Sequence, residues 1–136
     1  MSLSINVLTS LATGPAAQTL YLNADNFGNV TVQYSQAPTS SWSFSYVPSL
    51  SSVMIINDAS GQALTVNGSS VTTSADLSPS GSNTWTFAGG PSYAIRPQNN
   101  SDLNLNVSGD SYPAGTKVIV YKWDKAPNSQ WHTNIA

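Results

Sequence analysis

The 136-residue chain has no cysteine, no glutamate and a single histidine, His132. Without cysteine there are no disulfides and no thiolate metal sites. One histidine leaves too little for a His metal cluster or a nucleophilic triad. No metal ion and no cofactor are therefore expected. Charge is scarce too: 7% of residues, against about 25% in an average domain. All six acids are Asp, and the bases are Arg96, Lys117, Lys122 and Lys125, so the first 95 residues carry none. A net charge of −2 with no basic patch excludes a phosphate-binding footprint, and nucleic acid with it. The shortage of Glu and Lys, the usual surface helix formers, argues against helices. No apolar run reaches the length of a membrane span. The first residues, MSLSINVLTSLATG, lack a basic start and a continuous apolar stretch, so no signal peptide is expected. The expected location is the cytoplasm, or release without a recognisable signal. The sequons at Asn29, Asn67, Asn99 and Asn106 would then carry no glycan.

What the chain does have is internal repetition. Trp42, Trp85 and Trp131 sit in similar settings, SSWSF, NTWTF and SQWHT, 43 and 46 residues apart. A second marker keeps nearly the same period: Leu20/Leu22/Asn23, Leu64/Val66/Asn67 and Leu103/Leu105/Asn106. Two markers at one period imply three repeats of roughly 45 residues, approximately 1–46, 47–90 and 91–136 in a single domain. Alternating apolar segments between Gly, Pro, Asn, Asp and Ser predict four short strands per repeat. In the first they are Ser4–Leu8, Thr19–Leu22, Val30–Tyr34 and Trp42–Tyr46. In the second they are Val53–Asn57, Ala63–Val66, Val71–Thr73 and Trp85–Phe87. In the third they are Tyr93–Arg96, Leu103–Val107, Lys117–Tyr121 and Gln130–Thr133. No window holds apolar residues at helical spacing beyond two turns. Twelve strands in three fours predict a closed, all-β, pseudo-threefold structure without exposed edges. The three tryptophans, with Leu20, Leu64 and Leu103, are its expected core.

The third repeat, LNLNVSGDSYPAGTKVIVYKWDKAPNSQW, carries a resemblance. It is similar to the ricin-B-type (R-type) lectins: a hydrophobic strand, a Gly-rich turn, a hydrophobic run ending in an aromatic, then Asn and a closing Trp. The pattern spans the chain as repeats and is specific from Asp102 to Trp131. The resemblance implies a β-trefoil that binds glycans without changing them covalently. Several positions depart from the family. The Gln of its Gln-x-Trp signature is matched by Ser40, Asn83 and Ser129, its sugar-binding aspartate by Asn106, and its cysteines are absent.

In the family the sugar-stacking aromatic stands at the position of Tyr121, ten residues before the repeat's Trp. Alternation along Val118-Ile119-Val120-Tyr121 turns Val120 inward and Tyr121 outward. An outward Tyr offers a flat apolar face to a sugar ring and keeps its hydroxyl wet. Asn106 and Asn128 are the expected polar partners, since an amide both donates and accepts, and Ile119 shares the ledge. Asp110 is a candidate for the missing carboxylate, and Trp123 for a solvent-facing contact unless it folds over Pro127. A poorer first-repeat site is expected at Asn23, Gln33 and Tyr34, and none in the second, which lacks the aromatic. A single shallow site implies weak binding, with avidity from a second site or a homo-oligomer. No two Asp residues form an evident glycosidase pair, so no enzymatic activity is expected. A β-trefoil that inhibits a protease through a protruding loop is the competing reading; a module that targets a partner toxin or enzyme is the third.

Overall fold

A computed structural model describes residues 5–88 and 94–135. It contains twelve strands: β1 (Ile5–Thr13), β2 (Thr19–Ala24), β3 (Val30–Gln33), β4 (Trp42–Val47), β5 (Ser52–Asn57), β6 (Ala63–Asn67), β7 (Ser70–Ser74), β8 (Trp85–Ala88), β9 (Ala94–Pro97), β10 (Leu103–Val107), β11 (Val118–Lys122) and β12 (Trp131–Ile135). Each expected strand is present within a few residues of its place; Ser4 and Tyr93, two expected strand starts, lie outside the described residues. The only helical segments among the described residues are three 3-10 turns, Pro38–Ser40, Pro48–Leu50 and Pro127–Ser129. Strands β12, β1, β4, β5, β8 and β9 pair antiparallel in that order. The other six form three hairpins, β2–β3, β6–β7 and β10–β11. This is a β-trefoil.

The three tryptophans anchor the core. Trp42, Trp85 and Trp131 are fully buried, and each indole N–H reaches one carbonyl: Leu22 (3.0 Å), Leu64 (2.9 Å) and Leu105 (3.0 Å). Burying an indole is favourable only when its N–H finds an acceptor, and here the same acceptor recurs in every third. These carbonyls establish that Leu22, Leu64 and Leu105 are equivalent. The expected alignment of the second repeat is therefore off by two residues. Thr65, not Asn67, corresponds to Asn23 and Asn106. Asn67 is instead a turn residue: it is exposed, pairs with Ser70 across the tip of β6–β7, and precedes Gly68 at φ 67°. Leu103, expected in the core, is half-buried, because the residue that fills its third of the core is Leu105.

The hairpins close on one another at one end. Val32, Thr73 and Val120 occupy equivalent places, opposite Leu22, Leu64 and Leu105. Each sends its backbone N–H to the next hairpin: Val32 to the Thr116 carbonyl (2.9 Å), Thr73 to Gly28 (3.0 Å) and Val120 to Ser69 (3.1 Å). The result is a cyclic set of donors and acceptors that ties the three thirds together. The positions of the family's Gln are filled by small polar residues buried in this frame, Ser40, Asn83 and Ser129. All three lock turns: Ser40 Oγ lies 2.7 Å from the Ala37 carbonyl, Ser129 Oγ lies 2.8 Å from that of Ala126, and Asn83 Nδ2 donates to the Ser78 carbonyl at 2.9 Å.

Candidate saccharide site

Strands β10 and β11 are in register from Leu103 opposite Lys122 to Val107 opposite Val118. One face of this hairpin is core: Leu105, Val107, Val118 and Val120 are buried. The other face pairs Asn106 with Ile119 and Asn104 with Tyr121. Tyr121 is 47% exposed while Val120 beside it is 3% exposed, the alternation of a half-buried strand. An open cavity of about 350 Å³ lies on this outer face. Its wall is Asn106, Ser108, Gly109, Ile119, Tyr121, Asp124 and Asn128. The four residues expected to form the ledge, Asn106, Ile119, Tyr121 and Asn128, thus share one hollow.

Its polar groups are held by the backbone around them. Asn128 lies in the 3-10 turn that returns the chain to Trp131, and its Nδ2 donates to the Val107 carbonyl (3.0 Å). Asn106 Nδ2 donates to the same carbonyl (3.4 Å). With its nitrogen so directed, Asn106 Oδ1 is buried and has no partner. A buried acceptor left unpaired is costly, and a ligand hydroxyl would relieve it. Asn104 Oδ1, on the same strand, is likewise unpaired, although Asn104 Nδ2 reaches the Leu105 carbonyl at 3.3 Å.

Asp124 is the residue that sequence reasoning missed. The expected carboxylate, Asp110, is exposed and is not in the cavity wall. Asp124 enters it because the loop folds back on itself: Lys125 takes φ 62°, and Asp124 Oδ1 accepts from the Ala126 N–H (3.0 Å) and the Ser129 hydroxyl (3.1 Å). These bonds use Oδ1, leaving Oδ2 as an acceptor. The signal was the spacing Asp-Lys-Ala, a side chain capping the amide two residues on, together with the small Ser129 that fits beneath it. Ser108 and Gly109, also missed, follow from the turn after β10.

The remaining expected contacts lie elsewhere. Trp123 is half-buried rather than solvent-facing, and it carries the Arg96 guanidinium over its ring, with Cζ 5.6 Å from the centroid. In the first repeat, Asn23 Oδ1 already accepts from Thr39 Oγ1 (2.6 Å), the residue matching Asn128. Tyr34 is not the counterpart of Tyr121: Gln33 is, since it faces Tyr21 as Tyr121 faces Asn104. The Tyr34 hydroxyl donates to the Tyr112 carbonyl (3.0 Å), and its ring packs on the core. In the second repeat the matching positions are Thr65, Thr72 and Ser74, without an aromatic.

A larger hollow, about 410 Å³, lies where the hairpins meet and is lined by residues that include Asp25, Thr31, Thr72, Lys117 and Ile119. It has no aromatic wall. Asp25 there is committed to its own turn, with Oδ1 accepting from the Phe27 and Asn29 N–H groups and Oδ2 from Asn29 Nδ2. These bonds, the Asn29 side chain first, hold the Asp25 carboxyl below its usual range. Among the described residues no group of three His, Cys, Asp or Glu could hold a metal ion, and no helix is long and apolar enough to cross a membrane.

Comparison with known proteins places this geometry. Residues 38–121 match the ricin-type beta-trefoil lectin domain-like family. No curated protein matches the chain. Among solved structures, a designed three-fold symmetric protein, ThreeFoil, superposes with a TM-score of 0.81 at 22% identity, covering 97% of this chain and 98% of that one. A ricin B-like lectin of Macrolepiota procera, solved in complex with lactose, gives 0.79 at 14%, covering 100% and 98%. A mosquitocidal holotoxin gives 0.83 at 12%, covering 98% of this chain but 16% of the toxin, so there the fold is one part of a longer chain.

Proposed function

The chain belongs to the ricin-type β-trefoil lectin domain-like family, and from that membership we propose that it is a carbohydrate-binding lectin whose principal site is the cavity on its third repeat. One observation carries the placement: an exposed Tyr121 ring stands in the same hollow as the unpartnered, buried Asn106 oxygen. The ring supplies an apolar face for the C–H side of a pyranose. Asn106 and Asp124 accept hydroxyl protons, and Asn128 shares the wall as an oriented amide. Asp124 supplies the charge-assisted bond that the exchange of the family's aspartate for Asn106 gives up. That the Macrolepiota procera lectin of this fold holds lactose supports a saccharide as the ligand. Recognition here is reversible binding, without catalysis. A shallow single site of this size corresponds to a Kd of about millimolar to tens of micromolar. A glycan array on the purified protein, followed by calorimetric titration of the best ligand, tests the reading. The expected result is saturable sugar binding that Tyr121→Ala removes; an unaltered Kd in that variant would move the site elsewhere.

A further inference from the structure

The β10–β11 ladder runs one bond beyond the end of β11. The Trp123 N–H donates to the Asp102 carbonyl (3.3 Å), in the register that sets Asn104 opposite Tyr121 and Asn106 opposite Ile119. Side chains two residues apart on a strand share a face. Ile119, Tyr121 and Trp123 therefore form one row, with about 6.5–7 Å between neighbours, a step comparable with the passage from one sugar ring to the next. The row begins in the cavity at Ile119 and Tyr121 and leaves it at Trp123.

Over Trp123 stands the chain's only arginine. Arg96 lies on β9 between the buried Ile95 and Pro97, which turns its own side chain outward. Its Nε is buried with no hydrogen-bond partner, although an arginine fork is built to donate in parallel to two oxygens. The cation–π contact with the indole holds the guanidinium in place.

We propose that Trp123 and Arg96 form a second subsite, beside the Tyr121 cavity, for a carboxylate-bearing sugar (a uronic or sialic acid) linked to the sugar that Tyr121 stacks. Trp123 offers the ring surface, and Arg96 pairs with the carboxylate. The substrate class is then an acidic oligosaccharide, not a neutral monosaccharide. This inference rests on the reading of the Tyr121 cavity as a saccharide site.

Matched probes separate the two. The panel is lactose with sialyllactose, N-acetyllactosamine with its sialylated form, and a neutral disaccharide with its uronic acid counterpart and the methyl ester of that acid. In the unaltered protein at least one acidic member should bind about tenfold tighter than its neutral partner. Esterification or added salt should narrow the difference. Arg96→Gln should abolish it while the neutral sugars keep their Kd, and Arg96→Lys should retain part of it, with melting curves confirming that both variants fold. Neutral sugars that bind with no gain from the acid overturn the subsite alone, as does a gain that survives Arg96→Gln or a variant that weakens both members equally. If no member of any pair binds, the cavity reading falls and the subsite with it.

Discussion

Tyr121 and Trp131 sit ten residues apart and answer to different demands. The Tyr121 ring is half exposed and outside the core, so Tyr121→Ala should abolish most sugar binding and leave the melting temperature nearly unchanged. Trp131 is fully buried and bonded to the Leu105 carbonyl. Trp131→Ala should cost about 3–5 kcal/mol of stability, read in a denaturant titration, with any loss of binding following from unfolding. Asp124→Asn tests the carboxylate separately. The new amide oxygen can still accept from Ala126, so the loop persists. The ligand then loses a charge-assisted bond of about 1.5–3 kcal/mol for a neutral one of about 0.5–1.5 kcal/mol, and Kd in calorimetry should rise roughly fivefold to tenfold. Tyr112 gives a pH signature. Burial first, then the Asp110 and Asp124 charges, push its phenol above the usual value near 10. Folding therefore favours the neutral ring. That contribution is intact below about pH 10 and is lost as pH climbs through the raised value. Melting temperatures from pH 8 to 11 should fall at the alkaline end, and less steeply in Tyr112→Phe.

At the scale of elements, the strands were legible and their alignment less so. Alternation marks β2, β3, β10 and β11 plainly, and the three periodic tryptophans each bond the carbonyl of an equivalent leucine. Asn67 misled because Asn suits two places, a ladder position beside a binding face and the tip of a hairpin before glycine; only the shared Trp–carbonyl bond separates them. The ledge of Asn106, Ile119, Tyr121 and Asn128 could be read because it lies on regular strands and a short turn. Asp124 could not, because a reversal at Lys125 decides where its side chain goes, and no periodicity encodes that. The exposure of Trp123 was misread for a related reason: Arg96, 27 residues earlier, lies over one face of its ring. Among the turns, the β2–β3 tip is constrained in two ways. Gly28 has φ 84°, and a Cβ there would come within 3.0 Å of the Thr73 carbonyl oxygen. Gly28→Ala should therefore cost about 1–3 kcal/mol through both backbone strain and displacement of β7, seen as a lower denaturant midpoint.

For the whole molecule, the ring of bonds from Val32 to Thr116, Thr73 to Gly28 and Val120 to Ser69 sets an order of events. Val32 must find a partner 84 residues along the chain, and that encounter comes late, because loop-closure entropy is paid before such a contact gives anything back. No two hairpins can complete the circuit, so a chain with two thirds folded leaves donors facing water. The last hairpin to arrive thus fixes the other two at the same moment. Native-state hydrogen exchange should show it: the Val32, Thr73 and Val120 amides should exchange at one common rate, with the full denaturant dependence of global unfolding. An amide of the three that exchanged through a smaller opening would mean that its hairpin folds and unfolds alone. A circuit of this kind makes the molecule slow to assemble and, once assembled, slow to come apart one piece at a time.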